Sequence, residues 1–135
     1  MFTAAFYGSW FAYVAITFAL GFIWHLMVFK NVYHRLAIYT RLDELIIPLG
    51  LLSMLIQGAV LAYLYPQVVG IPGSLFEAVS FCLLMGLFLA SSAVIAEAAK
   101  QRVTSLRVWF VVESLYYLIQ FLLAGLAMSY IYATL

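Results

Sequence analysis

The sequence predicts an all-α integral membrane protein, with four transmembrane helices in two hairpins packed as a compact four-helix bundle. Two observations carry this. The 135-residue chain is 68% hydrophobic and only 8% charged, with a mean hydropathy of +1.15, whereas a soluble domain carries about a quarter charged residues. So few charges cannot cover a water-facing surface. The apolar residues also fall into four runs, each near the ~20 residues a helix needs to cross ~30 Å of hydrocarbon. Spanning strands would read as short alternating segments, and these runs are apolar on every side. The length allows one domain, residues 1–135.

The first run extends from Trp10 to Phe29. No basic residue precedes it and no small-x-small cleavage site is evident, so it reads as a retained helix rather than a signal peptide. The first connection, Lys30 to Glu44, carries Lys30, Arg35, Arg41, Asp43 and Glu44. Within it, Asn31 to Thr40 reads as a helical extension, with Val32, Leu36 and Tyr39 at helical spacing. The second run spans Leu45 to Tyr65. Pro48 suits a first helical turn, and Asp43 and Glu44 suit the positive helix end. A tight uncharged loop, Pro66 to Gly73, follows. The third run, Leu75 to Ala98, has Glu77 at its start, a carboxylate favoured at a helix N-terminus. It also holds the single cysteine, Cys82, which reads as a small buried hydrophobe without a disulfide partner. Lys100, Arg102 and Arg107 form the third connection, and the fourth run spans Val108 to Tyr132.

All six basic residues therefore lie on one side. By the positive-inside rule, loops 30–44 and 100–107 are cytoplasmic and both termini lie outside. Aromatic residues cluster at both ends of the runs, as interfacial anchors do. Trp24, Phe29, Tyr33, Tyr39, Trp109, Tyr116 and Tyr117 mark the basic side, and Tyr7, Trp10, Tyr13, Tyr63, Tyr65, Tyr130 and Tyr132 the other. Leu55-Ile56-Gln57 recurs as Leu118-Ile119-Gln120, a hint of parallel repeats.

Each run has a stripe of small and polar residues, the kind that lets membrane helices approach closely. These are Thr17, Gly21 and His25; Gly50, Ser53 and Gln57; Gly86, Ala90, Ala93 and Glu97; and Glu113, Gln120, Ala124 and Ala127. Gly86, Ala90 and Ala93 are the expected helix-packing surface. At 1.5 Å per residue, His25, Glu97 and Glu113 lie roughly 4–9 Å inside the nearest basic residue. They form a candidate polar layer, and Gln57 and Gln120 lie near the midplane. Such a layer can be a structural ion-pair network, a proton or cation site, or a metal site. His25 and His34 are nine residues apart, about 900° of helix, and so cannot share one haem from a single continuous helix. No phosphate loop, nucleophile elbow or nucleic-acid patch is present. The expectation is no enzyme, no cofactor, no metal and no nucleic-acid partner.

Trp24-His25-Leu26, Phe29-Lys30, Tyr33, Ile47-Pro48-Leu49-Gly50, Ser53-Met54, Gln57-Gly58 and Ala62-Tyr63-Leu64-Tyr65-Pro66 succeed one another in order. This arrangement resembles uncharacterised small four-helix bacterial inner-membrane proteins, a family of unknown function. The resemblance covers essentially the whole chain. It implies the topology and the bacterial cytoplasmic membrane, but no activity. The first functional expectation is a structural or accessory subunit in a larger membrane complex or homo-oligomer. The alternative is a small dimeric carrier or channel that uses His25, Glu97 and Glu113. An electron-transfer role is disfavoured by the histidine spacing.

Overall fold

Thr3 starts the first helix. Its Oγ1 accepts the Phe6 amide at 3.2 Å, which satisfies one of the amides that lack a partner at a helix start. The computed structural model describes residues 2–135. It is all-helical, and four helices are long and apolar enough to cross a membrane: α1 (Ala4–Val28), α3 (Ile47–Val68), α4 (Leu75–Lys100) and α5 (Leu106–Thr134). A short α2 (Lys30–Leu36) lies between α1 and α3. The end carrying the six basic residues is the basic end, and the other is the far end.

Helix α1 begins six residues before the expected Trp10, because Thr3 caps it. Its last turn, Trp24–Val28, is π-helical, with the Phe29 amide reaching back to the Trp24 carbonyl at 3.0 Å. Helix α2 stops sooner than the expected extension to Thr40. Ala37 turns left-handed at φ 59, and Thr104 from the other basic loop takes over the helix end. Its Oγ1 donates to the Arg35 carbonyl at 2.7 Å and its amide to the Leu36 carbonyl at 3.2 Å. Those carbonyls would otherwise lack partners, so one basic loop caps the helix of the other. Asp43 does not sit at the start of α3 as expected. It faces back toward α2, 3.2 Å from His34 and 3.9 Å from Lys30, in exposed pairs.

Helix α3 runs on through Pro66 to Val68, where the sequence suggested a loop. A proline inside a helix has no N–H for the carbonyl four residues back, here that of Ala62. The Tyr132 hydroxyl of α5 donates to it instead, at 3.2 Å. Helix α4 opens with a capping box. The Glu77 amide donates to Ser74 Oγ at 3.1 Å, and the Ser74 amide to Glu77 Oε2 at 2.9 Å. Near its basic end α4 widens into a π turn, Ser91–Ala96. There the Trp109 indole N–H donates to the Val94 carbonyl at 2.9 Å.

Helices α4 and α5 form a close antiparallel pair. A Cβ added at Gly86 would lie 2.7 Å from the Phe121 ring, and one at Gly125 would lie 2.9 Å from Val79 Cα. Gly86 therefore packs as expected, and Ala90 and Ala93 are half-buried beside it. Cys82 is buried and free. Helix α1 lies against both α5 and α3. The α1–α3 contact centres on Gly58, where an added Cβ would meet the Tyr13 and Trp10 rings at 2.9–3.0 Å.

The expected packing face of the second run, Gly50, Ser53 and Gln57, is not where α3 packs. Gly58, Leu61, Ala62 and Tyr65 are buried instead. Every residue from 47 to 56 except Met54 is exposed. Two apolar cores result. One, at the far half, joins Tyr13, Leu61, Tyr65, Phe81, Phe121 and Met128. The other, at the basic end, joins Tyr33, Leu36, Ile38, Leu42, Val94 and Trp109. Between them, beside the unpacked half of α3, the interior is polar and open.

Candidate functional site

Glu113 is the centre of the polar level. It lies two turns into α5 and is only 2% exposed. Three side chains reach its carboxylate from three parts of the chain. The Tyr33 hydroxyl of α2 donates to Oε2 at 2.5 Å, the Tyr39 hydroxyl donates to Oε1 at 3.1 Å, and His25 Nε2 of α1 lies 3.3 Å from Oε1. Local folding supplies each of them. The π turn at Trp24–Val28 carries His25, and α2 swings Tyr33 under it. The left-handed Ala37 then turns the linker so that Tyr39 comes back over the site. Tyr33 is fixed further by the Trp24 indole N–H, which donates to its hydroxyl at 3.1 Å. Burial, and then the Glu113 charge beside it, push the Tyr33 hydroxyl up, so it remains a donor.

His25 is held as firmly. Its Nδ1 lies 3.1 Å from the Gly21 carbonyl oxygen. Its ring packs between Tyr33 and Tyr116, each with its centroid 4.6 Å away. A Cβ added at Gly21 would come within 3.2 Å of the Tyr116 hydroxyl, so the small residue gives that ring its place.

A second polar level lies deeper. Gln120 Nε2 donates to the Tyr13 hydroxyl at 2.9 Å and to Thr17 Oγ1 at 3.1 Å. The Tyr13 hydroxyl donates to Gln57 Oε1 at 2.8 Å, and Gln57 Nε2 donates to Ser53 Oγ at 2.9 Å. The two glutamines of the repeated tripeptide thus meet through one tyrosine, which links α3, α1 and α5.

Both levels open on one crevice. A cavity of about 570 Å³ runs beside Glu113 and His25, walled by Phe18 and Phe22 of α1, Leu51 and Met54 of α3, Tyr116 and Tyr117 of α5, and linker residues including Tyr39 and Arg41. A smaller cavity of about 190 Å³ sits at Thr17, Ser53, Gln57 and Gln120 and shares Gly50, Met54, Tyr116 and Tyr117 with the first. The stripe Gly50, Ser53, Gln57 that does not pack is therefore the wall of this space.

Of the three residues expected in one layer, the structure brings His25 and Glu113 together but not Glu97. Glu97 lies half-exposed on α4, where its carboxylate meets Lys100 Nζ at 3.4 Å and Gln101 Nε2 at 3.4 Å. The cause is the π turn at Ser91–Ala96. A regular helix would carry Glu97 on the Gly86 face, but an inserted residue rotates the rest of the helix by about 100°. Tyr33, Tyr39 and Tyr13 belong to the site, although their positions read as interfacial anchors. For Tyr33 a signal existed: it stands three residues from Leu36 among Lys30, His34 and Arg35, an inward stripe on a short polar helix. His34 lies on Asp43 and takes no part. Among the described residues, no group of three His, Cys, Asp or Glu side chains converges as metal ligands would. No family model, curated protein or solved structure matches the chain. The chemistry of the crevice is thus the guide to function: an acid, an imidazole, phenols and amides at the base of an apolar cleft.

Proposed function

We propose that this chain is a small polytopic protein of the bacterial cytoplasmic membrane, with loops 30–44 and 100–107 on the cytoplasmic side. Its long helices pack as a bundle around an intramembrane crevice, and it acts as a small carrier for a solute with an apolar body and a polar head. Membrane residence is supported by the large apolar side chains exposed along every long helix, such as Phe11, Ile56, Phe88 and Leu118. Lipid solvates these at no cost, whereas water would not.

The observation that carries the functional reading is Glu113, a carboxylate 2% exposed on the wall of a cavity of about 570 Å³. A carboxylate kept only for stability would serve best in a closed interior, with its partners packed around it. This one borders a space within the ~300–1,000 Å³ typical of ligand pockets, and ionisable groups inside membrane segments mark functional sites by default. The glutamine level extends the crevice toward the midplane, where carrier sites are found. We propose binding and passage rather than catalysis.

Gly50 provides the test. An added Cβ there meets nothing within 4 Å and Gly50 lines the cavity, so the side chain of Gly50→Leu has room to enter the crevice. The variant is expected to unfold at the same temperature as the wild type. Counterflow of radiolabelled benzylamine or benzoate, which share one apolar body and carry opposite charges, should be lost in reconstituted vesicles. Equal flux in both proteins, or none above protein-free vesicles in either, would sink the reading.

A second reading is a structural or accessory subunit. In its favour is an exposed ridge on α3, Leu49, Leu52, Ile56, Val60 and Tyr63, spaced to meet another helix. Gentle detergent extraction separates the two. Stable association with larger subunits favours the accessory role, and a defined homodimer favours the carrier.

A further inference from the structure

We infer that His25 and Glu113 together hold one exchangeable proton, and that the crevice trades this proton for the ammonium head of a lipophilic amine. The inference rests on the crevice being a binding site, as already proposed. His25 Nδ1 is 3.1 Å from the Gly21 carbonyl oxygen, which can only accept, so Nδ1 carries a hydrogen. On the other side, Nε2 is 3.3 Å from Glu113 Oε1. A neutral imidazole with its hydrogen on Nδ1 would turn a lone pair toward a carboxylate, which repels. A proton must therefore lie between them. Either an imidazolium donates to a carboxylate, or a carboxyl donates to an imidazole. Both forms have the same proton count and no net charge. The Tyr33 hydroxyl accepts from the Trp24 indole, so its own hydrogen points to Glu113, and Tyr39 adds a second donor.

The surroundings decide what can replace that proton. Tyr33 faces the pair from α2, Tyr39 and Arg41 from the linker, and Tyr116 and Tyr117 from α5. Helices α3 and α4 bring no titratable side chain to the cavity wall at the pair. Asp43, further along the linker, is taken up by His34 and Lys30. Arg41 has no carboxylate within 4.0 Å among the described residues and stands exposed on the cavity wall, so positive charge there already opposes the entry of a second cation. Losing the proton with nothing in its place would leave a buried anion without a counter-charge, which is costly even with two tyrosine donors. Exchange avoids both.

An ammonium donating N–H bonds to Glu113 Oε1 and to His25 Nε2 takes the place of the bridging proton. The balance is R–NH₃⁺ plus the loaded pair giving the R–NH₃⁺·Glu113⁻·His25 complex plus H⁺, which leaves to water past Arg41. No other bond forms or breaks. The apolar body then lies against Phe18, Phe22, Leu51 and Met54, and the aromatic walls suit a cation.

Benzylamine binding to the purified protein in nanodiscs, in weakly buffered solution with a pH indicator, tests this directly on the wild type. The expected result is close to one proton released per bound benzylammonium. Benzyltrimethylammonium, which has no N–H, should bind at least about tenfold more weakly, because it cannot make the charge-assisted hydrogen bonds. Glu113→Gln, if it folds, should release no proton. Benzylamine binding without proton release would overturn the exchange but leave the binding site standing. If neither benzylamine nor benzoate binds, both the exchange and the proposed carrier fall. Preferential binding of benzoate with proton uptake would overturn the exchange in favour of an anion site built on Arg41.

Discussion

Glu113 and Glu97 are both carboxylates near the basic end, yet their surroundings make them different residues. Glu113 is buried among three partners, and Glu97 is half-exposed with Lys100 and Gln101 on its own helix. Exposed pairs of that kind contribute little. Glu97→Gln is therefore expected to change stability by no more than about 0.5 kcal/mol. Tyr33→Phe removes a donor from a buried charged acceptor and should cost about 1.5–3 kcal/mol. Tyr39→Phe should cost less, because Tyr39 is 38% exposed and water can stand in for its hydroxyl. Thermal unfolding of the three variants in detergent gives the order. A Glu97→Gln loss as large as that of Tyr33→Phe would mean that Glu113 is not the acid that anchors the polar level. His25 and Glu113 could be read from sequence because charges are rare in this chain, so each stands out against an apolar background. The tyrosines could not. Ten tyrosines among many aromatics all suit a membrane interface, and only the path of the linker decides which hydroxyl turns inward.

At the scale of elements, the existence and number of the long helices were legible in hydropathy, whereas the irregular turns were not. The π turns at Trp24–Val28 and Ser91–Ala96 have no hydropathy signature, and each shifts the helix face beyond it. That shift separated Glu97 from the Gly86 stripe. Upstream of the π turn the stripe holds, so Gly86→Leu should drive a side chain into Phe121 and lose about 1–3 kcal/mol, in line with overpacking. Phe88→Ala, at a position 77% exposed, should be mild by the same unfolding assay. Pro66 gives a sharper test, because the helix continues past it with the Ala62 carbonyl satisfied by Tyr132. Tyr132→Phe alone should cost about 1 kcal/mol, as a buried carbonyl loses its donor. In a Pro66→Ala background the restored backbone N–H supplies that carbonyl, and the same substitution should cost much less. A double-mutant cycle measures the difference. Additive losses would show that Tyr132 matters only through its packing on Tyr65.

For the whole molecule, the decisive arrangement is that the two basic loops are joined to each other and not merely on the same side. Thr104 donates to the Arg35 and Leu36 carbonyls, and Leu36, Val94 and Trp109 pack in one core beneath them. The crevice lies beside this closed cap, walled in part by Arg41 and the start of α3, so it belongs to the basic end. If that end faces the cytoplasm, as the charge distribution argues, the site is loaded from the cytoplasmic side. Single cysteines at Val68 and Gln101, both exposed and at opposite ends, test the orientation with an impermeant maleimide. The native Cys82 is buried and unreactive by position, so it need not be removed. Val68→Cys should label in intact spheroplasts. Gln101→Cys should label only after the membrane is opened. A third cysteine at Thr40, on the crevice wall, should share the sidedness of Gln101, and benzylamine should slow its labelling if the ligand enters there. Thr40→Cys labelling from the outside, together with Val68→Cys from the inside, would invert the molecule. The crevice would then face out and the exchanged proton would leave to the exterior.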